Sequence, residues 1–335
     1  MKNKFFIQIF GISYQLGSIS ENSEVYISDN PGWNLENITE KTGIKKRHLA
    51  SDTETALDLA VLAAKKLFNE TKVDPLSIDG LIFVTQSPDY ILPTTACILQ
   101  NQLNLKTDLM GFDINLGCSG FVYGLATSIS LIEAGMAKKI LLICADTYTK
   151  YIKRDDRTCR PIFSDGASAI LIGHSPKANA EIGPFIFGTD GAGEKNLIVA
   201  NSAARKSDGT NGLGHSFLHM DGAKVLMFTM SAVPKLVHQT LLEAGIKMED
   251  IDLFIFHQAS KIVMENISRK LNISQEKVYS NIENIGNTVS STIPIALKDA
   301  FDEGRIKNGD KVFIAGFGVG YSWGATIIRW SSGDE

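Results

Sequence analysis

Three polar residues, each set in a turn that closes an apolar run, are the groups in this chain best placed for covalent chemistry. Cys118 lies in Asp113-Ile114-Asn115-Leu116-Gly117-Cys118-Ser119-Gly120-Phe121, where a strand pattern runs into a tight turn and a helix starts at once. The positive end of a helix dipole favours a thiolate, the nucleophilic form of cysteine. Gly117 and Gly120 leave room for the turn and for a substrate to approach the sulfur. The alternative is an inert core cysteine, since free Cys is often buried. His257 opens His257-Gln258-Ala259-Ser260 at the end of an apolar run. A lone His in such a place is often a satisfied core residue, but the C-terminal ends of strands in open α/β sheets are where ligands bind. Asn287 belongs to Asn284-Ile285-Gly286-Asn287-Thr288-Val289-Ser290-Ser291-Thr292, a turn that could equally be an N-cap. Gly316-Phe317-Gly318-Val319-Gly320-Tyr321-Ser322-Trp323-Gly324-Ala325 is a glycine-rich loop between two strands, whose backbone N–H groups could face an oxyanion. It lacks the phosphate-loop pattern, and no helix follows it.

The elements that must position these groups follow from periodicity. Residues 5–12 read as a first strand, and this outweighs a signal peptide because Gln8 and Gly11 interrupt the apolar run and no cleavage site follows. The apolar residues Ala56, Leu57, Leu59, Ala60, Ala63, Ala64 and Leu67 recur at helical spacing over 52–68. Ile78 to Val84 and Lys139 to Cys144 alternate little, as strands buried on both faces do. Another helix is expected over 94–103. The one after Cys118, roughly 121–136, is apolar almost all round and therefore buried. The second half repeats this order. Ile251-Asp252-Leu253-Phe254-Ile255-Phe256 mirrors Ile78-Asp79-Gly80-Leu81-Ile82-Phe83 at an offset of roughly 173 residues, and Asp302-Glu303-Gly304 mirrors Glu133-Ala134-Gly135. A helix near 223–244 precedes the second copy as 52–68 precedes the first. The implied fold is α/β, two copies of one unit with mostly parallel sheets covered by helices. The halves are expected at 1–175, carrying the Cys, and 176–335, carrying the His and Asn. Symmetry then sets the Cys118 and Asn287 turns opposite one another, so that Cys118, His257 and Asn287 converge. The Gly- and Asn-rich segment 184–220, with Gly191-Ala192-Gly193 and Gly212-Leu213-Gly214, reads as irregular surface, either a wall over the site or a plain connection.

Composition narrows the class. A chain of 335 residues that is 44% hydrophobic can bury a large core. A net charge of −4 gives no sign of a nucleic-acid or polybasic membrane surface, and no apolar run reaches the ~18 residues of a membrane span. Cys97, Cys118, Cys144 and Cys159 show no paired spacing, which fits a reducing cytoplasm and argues against a disulfide framework or metal site.

Taken together, Thr42 to Ala50, the Cys118 turn, Asp165-Gly166-Ala167, Met220-Asp221-Gly222, His257-Gln258-Ala259, Gly286-Asn287-Thr288 and the Gly316–Ala325 loop resemble the β-ketoacyl-acyl-carrier-protein synthase III family of the thiolase superfamily. The resemblance covers nearly the whole chain. It implies a duplicated αβαβα fold, a homodimer, no cofactor or metal, and a Cys118–His257–Asn287 triad. Cys118 would take an acyl group from an acyl-CoA or acyl-carrier-protein thioester. Malonyl-acyl-carrier protein would then lose CO2, with His257 and Asn287 as donors to the enolate oxygen and the N–H groups of Cys118 and Val319 as the oxyanion site. Arg157 matches half of the family's adenine clamp; the Trp that forms the other half is here Asn37, and Trp33 is out of register. Ser260, Lys261 and Ile262 depart from the family's pattern after the histidine. These departures point to a donor other than acetyl-CoA. Leu92 near a dimer contact and Phe317 in the loop are further substrate candidates, and Lys261 and Arg269 could meet an acidic carrier protein. Two other reactions remain open: a same-fold acyltransferase that forms an ester or amide without decarboxylation, and a cysteine thioester hydrolase.

Overall fold

The computed structural model describes residues 6–175, 181–205 and 216–331. Strand β1 (Ile7–Leu16) opens the first half and helix α1 (Ala56–Thr71) follows. Its N-terminus is closed by a capping box in which Thr55 and Asp58 satisfy each other's backbone N–H groups. The seven apolar residues that set its period are all buried. Strand β2 (Gly80–Val84), helix α2 (Thr95–Gln102), strand β3 (Met110–Ile114), helix α3 (Gly120–Glu133), strand β4 (Lys139–Asp146) and strand β5 (Gly166–His174) complete the unit. The sheet order is β1-β5-β4-β2-β3. Strands β4, β2 and the edge strand β3 run parallel, while β5 is antiparallel to both β4 and β1. All five residues of β2 are buried, as its unbroken apolar run requires.

The second half begins with the short strands β6 (Glu181–Ile182) and β7 (Ile186–Thr189) and continues with helix α4 (Gly222–Ala244), strand β8 (Leu253–Phe256), helix α5 (Lys261–Leu271), helix α6 (Thr292–Asp302), strand β9 (Lys311–Gly318) and strand β10 (Ser322–Arg329). Strands β8 and β9 are parallel, and β10 runs antiparallel to β9. Both β6 and β7 pair with β10, at successive positions along it. The counterpart of β3 is reduced to one parallel bridge between Phe254 and Val278. The fold is the expected duplicated α/β unit, with one edge strand eroded in the second copy.

Burial explains the layering. One core joins Phe121, Val122 and Leu125 of α3 and Ile293, Ala296 and Leu297 of α6 to residues of both sheets, so these two helices lie between the sheets. That position is why α3 has so little polar surface. A second core packs α1 and α2 on the outer face of the first sheet, and a third packs α4 and α5 on the outer face of the second. Helix α4 is long and apolar enough by length and composition to cross a membrane, a match that the run-length reading of the sequence did not register. In this fold its Val233, Leu236, Val237 and Leu241 are buried against the second sheet. The polar stretch after β1 also carries structure, including the helix Leu35–Thr42, whose N-cap Asn34 accepts from the N–H of Asn37. The Gly212-Leu213-Gly214 part of the irregular 184–220 segment lies outside the described residues.

The halves meet main chain to main chain at several places, one of them behind the Cys118 turn. A Cβ added to Gly316 in β9 would lie 2.6 Å from the Cys118 carbonyl oxygen and 2.8 Å from Ser119 Cα. Neither is a flexible side-chain end, so the strand itself would have to shift. Gly316→Ala is therefore expected to cost about 1–3 kcal/mol, as overpacking of a filled interior does. Denaturant unfolding measures it, and an unchanged midpoint would show that the seam yields freely.

Candidate functional site

Cys118 stands just before α3, 7% exposed, where the Gly120 N–H donates to the Gly117 carbonyl at 2.7 Å. Ser119, the helix N-cap, makes no capping bond; its hydroxyl lies 2.7 Å from that of Ser322, the first residue of β10. The sulfur faces the second half. A Cβ on Gly318 would lie 2.8 Å from Cys118 Cβ and 3.0 Å from Sγ, so only glycine fits there. The backbone N–H groups of Cys118 and of Val319 favour the charged form of the sulfur. Burial nevertheless dominates and, with Asp146 adding repulsion, pushes the thiol up to about 12. The thiolate expected from the helix N-terminus is thus not the resting form; the group rests as a thiol.

His257 follows β8 at its C-terminal end, and its N–H donates to the Ala315 carbonyl of β9 at 2.8 Å. Its ring is buried, which pulls its pKa down to about 3, so the imidazole is neutral. Its Nδ1 lies 2.7 Å from the hydroxyl of Thr292, and the Phe317 ring stands edge-on to it at 5.7 Å. Asn287 is locked from both sides: its N–H donates to the Ile162 carbonyl and its own carbonyl accepts from Ser164 N–H. Its side-chain Oδ1 accepts the N–H of Val289 at 2.9 Å, which turns the amide NH2 the other way. Val289 itself has φ +56°, an outlying conformation for a β-branched residue. Such strain, on the order of 1–3 kcal/mol, persists only where the surroundings enforce it. Here Val289 also packs in the apolar cluster around Cys118, with Tyr148, Phe163, Leu197 and Leu218. The three residues thus share neighbours: the end of β9 touches Cys118 through Gly318 and Val319 and His257 through Phe317, while Val289 links Asn287 to the surroundings of Cys118.

Of the other candidates, Phe317 lies at the site and the rest lie on the exposed surface. Phe317 is buried behind His257. Leu92 is 79% exposed, beside exposed Tyr90 and Ile91. Arg157 is exposed, as is Asn37 on the helix Leu35–Thr42. Lys261 and Arg269 both lie exposed on α5, where Lys261 pairs loosely with Glu265 and Arg269 donates to Asn266. Among the described residues no cluster of metal-ligating side chains occurs.

Sequence reasoning missed Asp146, the last residue of β4. Its buried carboxylate accepts the Gln86 N–H at 2.8 Å from one half, and the Ser290 N–H at 3.2 Å and hydroxyl at 2.5 Å from the other. Beside it, the Tyr148 hydroxyl donates to Gln86 Oε1. An aspartate at the end of an apolar strand was visible, but its partners were not.

The family model "3-Oxoacyl-[acyl-carrier-protein (ACP)] synthase III" matches residues 112–191, and the model of its C-terminal part matches 241–330. A β-ketoacyl-[acyl-carrier-protein] synthase III of Solibacter usitatus is 35% identical over 93% of this chain and 94% of its own length. A solved 3-oxoacyl-(acyl-carrier-protein) synthase III superposes with TM-score 0.91 at 40% identity, covering 97% of this chain and 100% of the other. The 3-oxoacyl-(acyl-carrier protein) synthase of Burkholderia xenovorans gives 0.92 at 33% identity, covering 96% and 93%.

Burial raises the Asp146 carboxyl to about 7, so between pH ~4 and ~7 the folded chain holds a proton at this site that the unfolded chain has lost. Stability contributed by Asp146 is therefore full below pH ~4 and falls as pH rises through that window. Thermal midpoints measured from pH 4 to 8 should show this decline in the parent and a shallower one in Asp146→Asn; parallel curves would remove the group from the linkage.

Proposed function

The chain belongs to the 3-oxoacyl-acyl-carrier-protein synthase III family, and we propose that Cys118, His257 and Asn287 divide its decarboxylative condensation between them. The protein is a thiolase-like condensing enzyme, an acyltransferase of fatty acid biosynthesis. In the first half-reaction the Cys118 sulfur attacks the carbonyl of an acyl thioester, the donor's thiol departs with the proton, and the acyl group stays on the sulfur. With the thiol pushed up to about 12, deprotonation accompanies attack and does not precede it. In the second, malonyl-acyl-carrier protein loses CO2 and the N–H groups of Asn287 and His257 hold the enolate oxygen. The carbanion attacks the acyl-Cys118 carbonyl, the N–H groups of Cys118 and Val319 receive the oxyanion, and collapse releases a β-ketoacyl chain two carbons longer and expels the Cys118 thiolate, which takes up a proton from solvent to return to the thiol. A neutral imidazole and a neutral amide suit the enolate, because neither supplies a charged base.

The observation that carries this reading is the approach of the β9 end at Gly318 to the Cys118 sulfur, beside a turn that aims the Asn287 amide. The apolar cluster around Cys118 speaks for an aliphatic acyl group and against entry of water, hence against the hydrolase. We place the donor as an acyl-CoA or acyl-carrier thioester other than acetyl-CoA, given Asn37 where the family has an adenine-stacking Trp. Exposed Lys261 and Arg269 on α5 would meet the acidic carrier. A homodimer would cover Tyr90, Ile91 and Leu92, with Leu92 reaching toward the partner's primer, Arg157 contacting a coenzyme donor and Phe317 backing the site. The work is placed in the cytoplasm.

Incubation with a panel of acyl-CoA and acyl-carrier thioesters should leave an acyl mass on Cys118 that Cys118→Ala abolishes. Asn287→Ala should keep acylation and lower malonyl decarboxylation by about 10²–10³, the usual effect of losing one oxyanion donor. A free acid, or a product of unchanged chain length, would end the reading.

A further inference from the structure

Thr292, the first residue of α6, is buried and its hydroxyl has two neighbours. One is Nδ1 of His257 at 2.7 Å, the other the carbonyl of Val289 at 3.1 Å. A hydroxyl has a single proton, and both neighbours compete for it. Bonds donated by a hydroxyl centre near 2.7–2.8 Å, and those donated by an N–H run from about 2.7 to 3.2 Å and centre near 2.9–3.0 Å. The 2.7 Å contact is the shorter of the two and has the length at which hydroxyl-donated bonds centre, so we assign the proton to it and leave the 3.1 Å carbonyl contact as the weaker competitor. The imidazole is neutral, because burial pulls it down to about 3, so it carries one proton. Among the described residues nothing else hydrogen-bonds the ring; Phe317 only packs against it.

We infer that Thr292 is a positioning residue for His257: by donating its hydroxyl proton to Nδ1 it keeps the ring proton on Nε2, as the N–H that the enolate oxygen needs. The inference rests on the decarboxylating reading above and adds the group that sets the tautomer. Branching at Cβ makes threonine suited to the task, since it limits χ1 and fixes where the hydroxyl stands. The opposite proton position would leave Nε2 bare. It would then oppose the same developing charge with a lone pair, and one of the two enolate donors would be lost. Primer loading on Cys118 does not call on this tautomer, so the two half-reactions separate the role from a general loosening of the site.

Two measurements decide it on the full-length enzyme. Ring-nitrogen NMR of 15N-histidine-labelled protein, with the His257 signal assigned by its loss in His257→Gln, should show a protonated Nε2 and a bare Nδ1; a protonated Nδ1 overturns the proposal. Thr292→Val, which keeps the shape and removes the hydroxyl, should lower malonyl-acyl-carrier-protein decarboxylation on the order of a hundredfold, as loss of a correctly protonated histidine does. Acyl-Cys118 formation should stay within a few-fold, and Thr292→Ser should recover most of the lost rate. Equal slowing of both half-reactions, or an undisturbed decarboxylation, counts against it. If Thr292→Val does not fold, the NMR result on the parent enzyme still decides. Retained decarboxylation in Asn287→Ala would sink the proposed function itself, whereas a neutral Thr292→Val in an enzyme that Asn287→Ala disables sinks only the role of Thr292.

Discussion

One carboxylate holds the two halves of this protein in register. Asp146 ends β4 in the first half and receives both the N–H and the hydroxyl of Ser290 from the second, together with the Gln86 N–H from its own. It is wholly buried, and placing an acid there has an electrostatic cost that the raised pKa expresses. What offsets the cost is a set of aimed donors, two of them from the turn that presents Asn287 and Val289. If that turn moved relative to β4, the acid would lose its partners and the Asn287 amide would lose its direction. The buried polar contact thus specifies, with the Asn287 main-chain bonds to Ile162 and Ser164, a single arrangement of the two units.

The chemistry that follows is done by uncharged groups. Burial pushes the Cys118 thiol up and the His257 imidazole down, so neither is an ion at rest. Fixed N–H donors at low local dielectric are worth more than the same groups in water, and they need no rearrangement when charge develops. The strained φ of Val289 fits this economy, because its N–H orients the amide of Asn287 while its side chain lines the sulfur's surroundings.

Much of this was legible in the residues. The repeat between Ile78–Phe83 and Ile251–Phe256 is the hydrophobic signature of paired buried strands, and it located both the seam and the end of β8 where His257 stands. The period of α1 was readable because every residue that set it is buried on one face. Other features follow from three-dimensional context that no local pattern encodes. Val289 takes a left-handed φ because its neighbours demand it, not because its type prefers it. Thr292 looks like any residue starting a helix until His257 is brought beside it from 35 positions away. The helix-dipole argument for Cys118 was sound locally, yet desolvation, a property of the assembled core, outweighs it. Phe317 gave no hint that it would lie behind the imidazole.

The wall that Gly316 and Gly318 press against Cys118 has a consequence for variation within this fold. On that side the sulfur is bounded by main chain, and main chain has no smaller version. No replacement of Gly316 or Gly318 can make the space wider, and any that adds an atom narrows it. Tailoring the protein to bulkier or slimmer primers therefore falls to the side chains clustered with Cys118, Phe163, Leu197 and Leu218 among them.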